Sequence, residues 1–314
     1  MRRDVFLAVG CAYLGATATA RAQTNGSIVR VSMPPDEDVV SCLYAMQSGI
    51  FRKLGLDVRA DAATSGSAIA AAVAGGSIEV GKSSLPALIA AHVAGIPFTL
   101  VAPAALYTSA APNCATIVRT DSPIRTARDL TGKIVGAQSV RGQNMLCTAA
   151  WIDSQGVDSK SVHFVEVPLP AMLAALDSGR IDAATLGNPT LSEALDSKKV
   201  RILTYPFDAV AKEFLLAAYF CSTDFASKNP DVVERFARAL RQATAYTNSH
   251  RAQTVDLVSK FTSISPQIIA GMARVTCAET LDPHQIQPQI DLCVKYKLIN
   301  ATFDARDLVA AVVK

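Results

Sequence analysis

The chain has 314 residues, a length that suits one or two α/β domains. Half of them are hydrophobic, 18% are charged and the net charge is +3, a balance that excludes intrinsic disorder and a strongly basic nucleic-acid binder. Aromatic residues make up only 6%, so the apolar content is mainly Ala, Val, Leu and Ile, which suits helices packed on buried strands.

Met1-Arg2-Arg3, an apolar stretch over 5–16 and the small residues ending Ala20-Arg21-Ala22 follow the order of a secretory signal peptide, with cleavage expected after Ala22. The stretch is too short for a membrane span, which needs about 20 apolar residues. Arg2-Arg3 fits twin-arginine export as well as the general route. Cleavage removes Arg2, Arg3, Arg21 and Asp4 and lowers the net charge to +1. It also removes Cys11, leaving Cys42, Cys114, Cys147, Cys221, Cys277 and Cys293 as an even set in an oxidising compartment. Cys277 with Cys293, in one carboxy-terminal helical region, is the first pairing expected; buried free thiols are the alternative.

Further along, one unit occurs twice. Residues 68–88 (AIAAAVAGGSIEVGKSSLPAL) and 171–191 (AMLAALDSGRIDAATLGNPTL) match at a shift of 103, placing Gly76 on Gly179, Ile78 on Ile181, Glu79 on Asp182 and Pro86 on Pro189. Each copy predicts a helix stopped by glycine, a short strand (78–81 or 181–186), a polar turn, and a helix with proline in its first turn. Upstream, strands over 28–33 and 133–137 lead through polar loops to helices over 39–47 and 145–154, then to strands over 57–62 and 162–167. The chain therefore reads as two similar open α/β lobes, whose ligands bind at the carboxyl ends of the strands.

Residues 95–103 and 113–118 add strands to the first lobe, 213–221 is a returning strand, and the pattern is helical from Asn229-Pro230-Asp231 to the end. The expected division is a signal peptide at 1–22, lobe one at 23–120, lobe two at 121–213, and at 214–314 a return strand with helices that pack on lobe one. Crossovers near 119–122 and 212–217 form the hinge.

Gly76–Ser83 (GSIEVGKS) satisfies the letters of a phosphate loop, but its middle is the predicted strand and an alanine-rich helix precedes it, so the context refutes the motif. No G-x-S-x-G, H-E-x-x-H or C-x-x-C occurs, and His92, His163, His250 and His284 are dispersed, which leaves no catalytic residue, metal site or cofactor to expect. What remains is a set of polar loops ahead of helices. Lobe one supplies Asp36, then Ser65-Gly66-Ser67, then Ser83-Ser84; lobe two supplies Ser139, Arg141-Gly142-Gln143-Asn144 and Gly187-Asn188. Singly these suit helix capping; together they fall on one end of two facing sheets, where an anion meets free NH groups. Arg141 is the candidate clamp for a carboxylate or sulfonate.

Leu43-Tyr44-Ala45-Met46-Gln47-Ser48-Gly49-Ile50-Phe51 followed by Gly55-Leu56-Asp57-Val58, together with Ala94-Gly95-Ile96-Pro97, Asp129-Leu130-Thr131-Gly132-Lys133 and Gly179-Arg180-Ile181-Asp182-Ala183, resembles a known pattern. It is that of periplasmic solute-binding proteins of ABC importers, the taurine, sulfonate and nitrate type grouped with the thiamine-pyrimidine (NMT1/THI5-like) family. The resemblance implies a type II periplasmic binding protein-like fold, two α/β lobes on a two-crossover hinge with the ligand cleft between them, and no enzyme activity. It implies delivery of a solute to an inner-membrane permease by a monomer, and it places the polar loops above on the cleft. Leu186-Gly187-Asn188 stands where taurine-type members carry an aromatic residue and Trp, and Arg141-Gly142-Gln143 where they favour Ser and Thr. A roomier, more cationic site is therefore expected, with an organic anion as solute. The alternatives are a fold-related enzyme of pyrimidine or thiamine-precursor metabolism and an extracytoplasmic sensor domain.

Overall fold

A computed structural model describes residues 26–63 and 66–313; the expected signal peptide and Ser65 lie outside the described residues, as does the side chain of Ser67. Among the described residues thirteen strands form three sheets. In chain order they are β1 Ser27–Met33, β2 Leu56–Ala62, β3 Val80–Ser84, β4 Phe98–Pro103, β5 Ala105–Thr108, β6 Cys114–Arg119 and β7 Ile134–Ala137. Then come β8 His163–Glu166, β9 Ala183–Gly187, β10 Val200–Thr204, β11 Glu213–Leu215, β12 Ala217–Ser222 and β13 Thr276–Cys277.

The two large sheets have matching orders, β2-β1-β3-β12-β4 and β8-β7-β9-β6-β10. In each, the first three strands are parallel, and the fourth, β12 or β6, runs antiparallel to both its neighbours. That fourth strand is exchanged between the halves of the chain. Residues 113–118, expected in lobe one, instead pair with β9 and β10, because an antiparallel strand enters a sheet from the end opposite to its parallel neighbours. The first crossing accordingly falls between Thr108 and Cys114, earlier than expected, and the second between Thr204 and Glu213. Beside the crossings, β11 and β13 pair antiparallel with β5 in a small third sheet. The return segment is thus two strands, divided at Leu216.

The repeat is exact where it matters physically. Helices Gly66–Ala74 and Leu169–Asp177, and strands β3 and β9, keep the 103-residue offset. Gly76 and Gly179 end their helices at φ 69° and 70°, the left-handed conformation that favours glycine. Glu79 accepts the backbone NH of Arg30 at 2.7 Å, and Asp182 accepts that of Ile134 at 2.9 Å. These acids therefore tie the central strand of each sheet to its neighbour. Both helix–strand units are steeply packed: a Cβ on Gly81 would lie 2.5 Å from Ile69 Cγ2 and 2.7 Å from the Phe220 ring, and one on Gly136 2.7 Å from Ile181.

Helix Pro230–Ser249 buries Val233, Phe236, Leu240 and Ala243. Phe236 stacks on Phe51 with ring centroids 5.3 Å apart, and each such phenyl ring removed from water contributes about 2–3 kcal/mol. Pro230 opens this helix as expected, but Asn229 does not cap it; its Nδ2 donates to Phe225 O at the end of helix Thr223–Lys228. Nor is the last third wholly helical. It contains β13, and near its end Val309 bridges Leu100 on the edge strand β4. No helix among the described residues is long and apolar enough to cross a membrane.

All six described cysteines are free and buried, so the expected Cys277–Cys293 pair is not formed. The reason is that the two lie on different elements: Cys277 sits on β13, its NH on Asn248 Oδ1 at 2.9 Å, and Cys293 lies within helix Pro283–Lys295. Burial pushes the thiols of Cys42, Cys221 and Cys293 up to about 12 and that of Cys277 to about 11. In the chain from residue 23, Ellman's reagent at pH 8 should therefore label none of the six in the native state and all of them in strong denaturant. Prompt reaction of one or more native thiols would contradict this burial.

Candidate functional site

At the carboxyl edge of the first sheet, β3 does not end where the polar run begins. Gly81, Lys82 and Ser83 are inside the strand and buried, which removes both the expected turn there and any phosphate loop. Lys82 Nζ donates to Asp36 Oδ1 and Oδ2 at 3.0 and 2.9 Å and pairs with the Asp38 carboxylate. The Lys82 side chain is 3% exposed, Asp38 14% and Asp36 39%, so the lysine forms the floor and Asp36 the open rim. Asp36 starts the short turn Glu37–Val39 that leads into helix Val40–Gln47, yet its side chain makes no capping bond. Desolvation and the charge of Asp38 hold Asp36 well above the usual carboxylate range, with Lys82 opposing. Burial pulls Lys82 down, and the two carboxylates more than reverse that.

Between those two acids, Glu37 is buried and faces the other way. It accepts from Arg274 Nε and from the NH of Val275 at 3.0 Å. Arg274 spends its remaining donors on Arg251 O at 2.9 Å and Thr254 Oγ1 at 3.1 Å. Desolvation raises Glu37 above its ordinary value, against the Arg274 charge. Ser83, on the opposite face of β3 from Lys82, brings its Oγ within 2.9 Å of a Cβ built on Gly66, the first residue of helix Gly66–Ala74. Ser84 precedes helix Leu85–Val93 without capping it through its side chain.

The second sheet's edge is neutral where the first is charged. Thr185 is the repeat partner of Lys82, and it shares hydroxyl hydrogen bonds with Thr116 at 2.8 Å and Thr148 at 2.7 Å. Gly142 precedes helix Gln143–Ser154, and Ser139 O accepts its NH at 3.1 Å in an exposed turn. Asn144 donates to Thr185 O and accepts from Cys114 Sγ. Arg141, expected as the anion clamp, places Nη2 on the carbonyls of Lys297 and Leu298 at 3.3 and 3.4 Å, so that its guanidinium is engaged with backbone at the end of helix Pro283–Lys295. Gly187 ends β9 beside Asn113, whose carbonyl accepts the NH of Asn188 at 2.8 Å. Buried, unpartnered polar atoms include Gln143 Nε2 and Asn113 Oδ1.

One contact draws the two edges together. Asn188 Nδ2 donates to Ala273 O at 2.8 Å, and the next residue, Arg274, holds Glu37. The turn after β9 is thereby fastened to the loop after β1. Of the expected residues, Asp36, Ser83, Gln143, Gly187 and Asn188 lie at these strand ends; Asn144 is bonded to Thr185 O and Cys114 Sγ, and Arg141 is exposed with its Nη2 on two backbone carbonyls. Sequence reading places Asp38 in the same polar loop as Asp36 but misses Asn113 and Arg274. Asn113 was hidden because the first crossing was expected later, at 119–122, and Arg274 comes from a distant part of the chain. Among the described residues no group of three or more His, Cys, Asp or Glu could hold a metal ion. Two cavities, about 500 Å3 near Arg251, Gln267 and Arg274 and about 540 Å3 near Val101 and Leu281, lie outside the turns after β1, β3, β7 and β9.

A family model described as NMT1/THI5 like matches residues 37–254. The chain belongs to that family. Among solved structures, the periplasmic aliphatic sulphonate binding protein SsuA from Escherichia coli is 20% identical, with a TM-score of 0.75 over 91% of this chain and 98% of that one. The periplasmic nitrate-binding protein NrtA from Synechocystis PCC 6803 is 13% identical, with a TM-score of 0.75 over 92% and 87%. These likenesses establish the α/β fold of periplasmic binding proteins. A curated Escherichia coli K12 sequence, provisionally named for aliphatic sulfonates, is 24% identical over 196 residues, and the chain spans 60% of its length.

Proposed function

We propose that this family member is the substrate-binding protein of an ABC importer, a periplasmic monomer that loses its first 22 residues on export. It captures a small organic solute with an anionic group between its two sheets and presents it to a membrane permease. The observation that carries this reading is the pairing of two sheets of identical strand order whose polar carboxyl edges meet across the β5–β11–β13 bridge. The solutes in the relatives' names, sulfonate and nitrate, are anions. The start of helix Gly66–Ala74 beside the Ser83 hydroxyl offers NH and OH donors to such a group.

Closure of the lobes about the two crossings would be stabilised by a solute that touches both edges. The test is a thermal-shift screen of sulfonates and carboxylates, followed by small-angle scattering with each hit. A solute at 100 times its Kd should stabilise the protein by about 2.7 kcal/mol and reduce its radius of gyration. Saturating binding with no compaction would sink the proposal.

A further inference from the structure

We propose that the cavity of about 540 Å3 at the outer edge of the first sheet is a second small-molecule site, separate from the strand-edge turns, which takes an organic monocarboxylate with an apolar body.

Four stretches of chain, far apart in sequence, build its walls. Val101 comes from the edge strand β4, Ala237 from helix Pro230–Ser249, Leu281 from the segment between β13 and helix Pro283–Lys295, and Val309 from the carboxy-terminal stretch that bridges Leu100. Ala237 contributes only a methyl group where helix, strand and carboxy-terminal stretch meet, and the space beside it stays open. Elsewhere this lobe is filled so closely that a Cβ on Gly81 would lie 2.5 Å from Ile69. Protein interiors hold few voids larger than a water molecule, whereas small-molecule pockets run to about 300–1,000 Å3 and are mostly apolar, with a few polar groups that fix orientation. The cavity has the size and lining of the second kind.

Its polar groups define the ligand's charge. Arg241 and Arg306 both line it and both are exposed, so they form its rim. Arg241 makes no hydrogen bond or ion pair among the described residues, and Arg306 Nη1 donates to Asp304 Oδ2 at 3.2 Å. Glu279 is the single acid in the lining, which leaves a net positive rim over an apolar floor. The uncommitted guanidinium of Arg241 matches a carboxylate bidentately, while an apolar amine would meet two like charges. A carboxylate without an apolar body would leave the floor facing water. All four stretches belong to the first lobe and the carboxy-terminal segments packed on it, so filling the cavity needs no movement of one lobe towards the other.

Calorimetry and small-angle scattering on the chain from residue 23 test this with 3-phenylpropanoate, propanoate and 3-phenylpropan-1-amine. The first should bind about ten-fold tighter than either control, with the radius of gyration unchanged. Arg241→Gln should weaken it about ten-fold, and Ala237→Leu, which fills the space, should abolish it. Arg241 is exposed, so its variant decides the matter even if Ala237→Leu does not fold. No binding of 3-phenylpropanoate at millimolar concentration, equal binding of the amine, or an affinity unchanged in Arg241→Gln would overturn the inference and leave the reading of the strand edges untouched. Binding that compacts the protein and ignores Arg241→Gln would overturn it as well, and would instead favour capture between the two sheets.

Discussion

Replacing Arg274 with methionine should lower the free energy of unfolding by about 4 kcal/mol at pH 7, the scale of breaking a buried ion pair from one side. Both partners are nearly inaccessible, Arg274 at 7% and Glu37 at 3%, so the stranded carboxylate has no water to turn to. The loss would spread, because Arg274 also holds Arg251 O and Thr254 Oγ1, and its neighbour Ala273 receives Asn188 from the other sheet. The pH dependence has a definite sign. Glu37 already titrates above its ordinary value when folded, so it binds protons more readily in the native state and stability falls as pH rises through that window. Without Arg274 the folded value rises further, and the deficit of the variant should shrink as pH falls from 7 towards the ordinary glutamate range. Urea unfolding at pH 7 and pH 5 measures both effects. The double variant Glu37→Gln/Arg274→Met should recover part of the loss, since no bare charge remains. A deficit under 1 kcal/mol, or one that grows on acidification, would show that the pair is not held as described.

Lys82→Met should cost about 3 kcal/mol, somewhat less because Asp36 is partly open to solvent. Here two carboxylates are left facing each other, and protonating one relieves the repulsion. Asp36, already held well above the usual range, is the group that takes the proton. The variant should therefore approach wild-type stability as pH falls through the raised value of Asp36, while Lys82→Met/Asp38→Asn should be less pH-sensitive than Lys82→Met alone. Thermal melts across pH 4 to 8 decide it, and a pH-independent deficit would contradict the assignment.

The parts of the fold that could be read in advance are those with local causes. The helix–glycine–strand unit is visible at both Gly76 and Gly179 because a left-handed glycine and an acid three residues beyond each have a job within one sheet. The return strand β12 joins the first sheet as expected, but the place of β6 was not legible, since an antiparallel strand reveals its neighbours only through pairing with residues far away in the chain. At the candidate site, Asp36 and Ser83-Ser84 read as two separate polar loops ahead of helices. The two are 46 residues apart at Asp36 and Lys82, and only the parallel pairing of β1 with β3 reveals that one neutralises the other. Arg141 shows another limit: that its Nη2 reaches the carbonyls of Lys297 and Leu298, more than 150 residues away in the chain, is written nowhere near it in the sequence.

The exchanged strand also dictates the order in which the molecule can be finished. Every strand of the second sheet lies between Cys114 and Thr204, whereas the first sheet, begun at Ser27, lacks its fourth member until Ala217–Ser222 has emerged. In a chain released from its amino terminus, the later half is the first to complete its sheet. The earlier half must wait with the flanks of β3 and β4 unpaired, and such open flanks expose it to aggregation and make it a natural client for a chaperone.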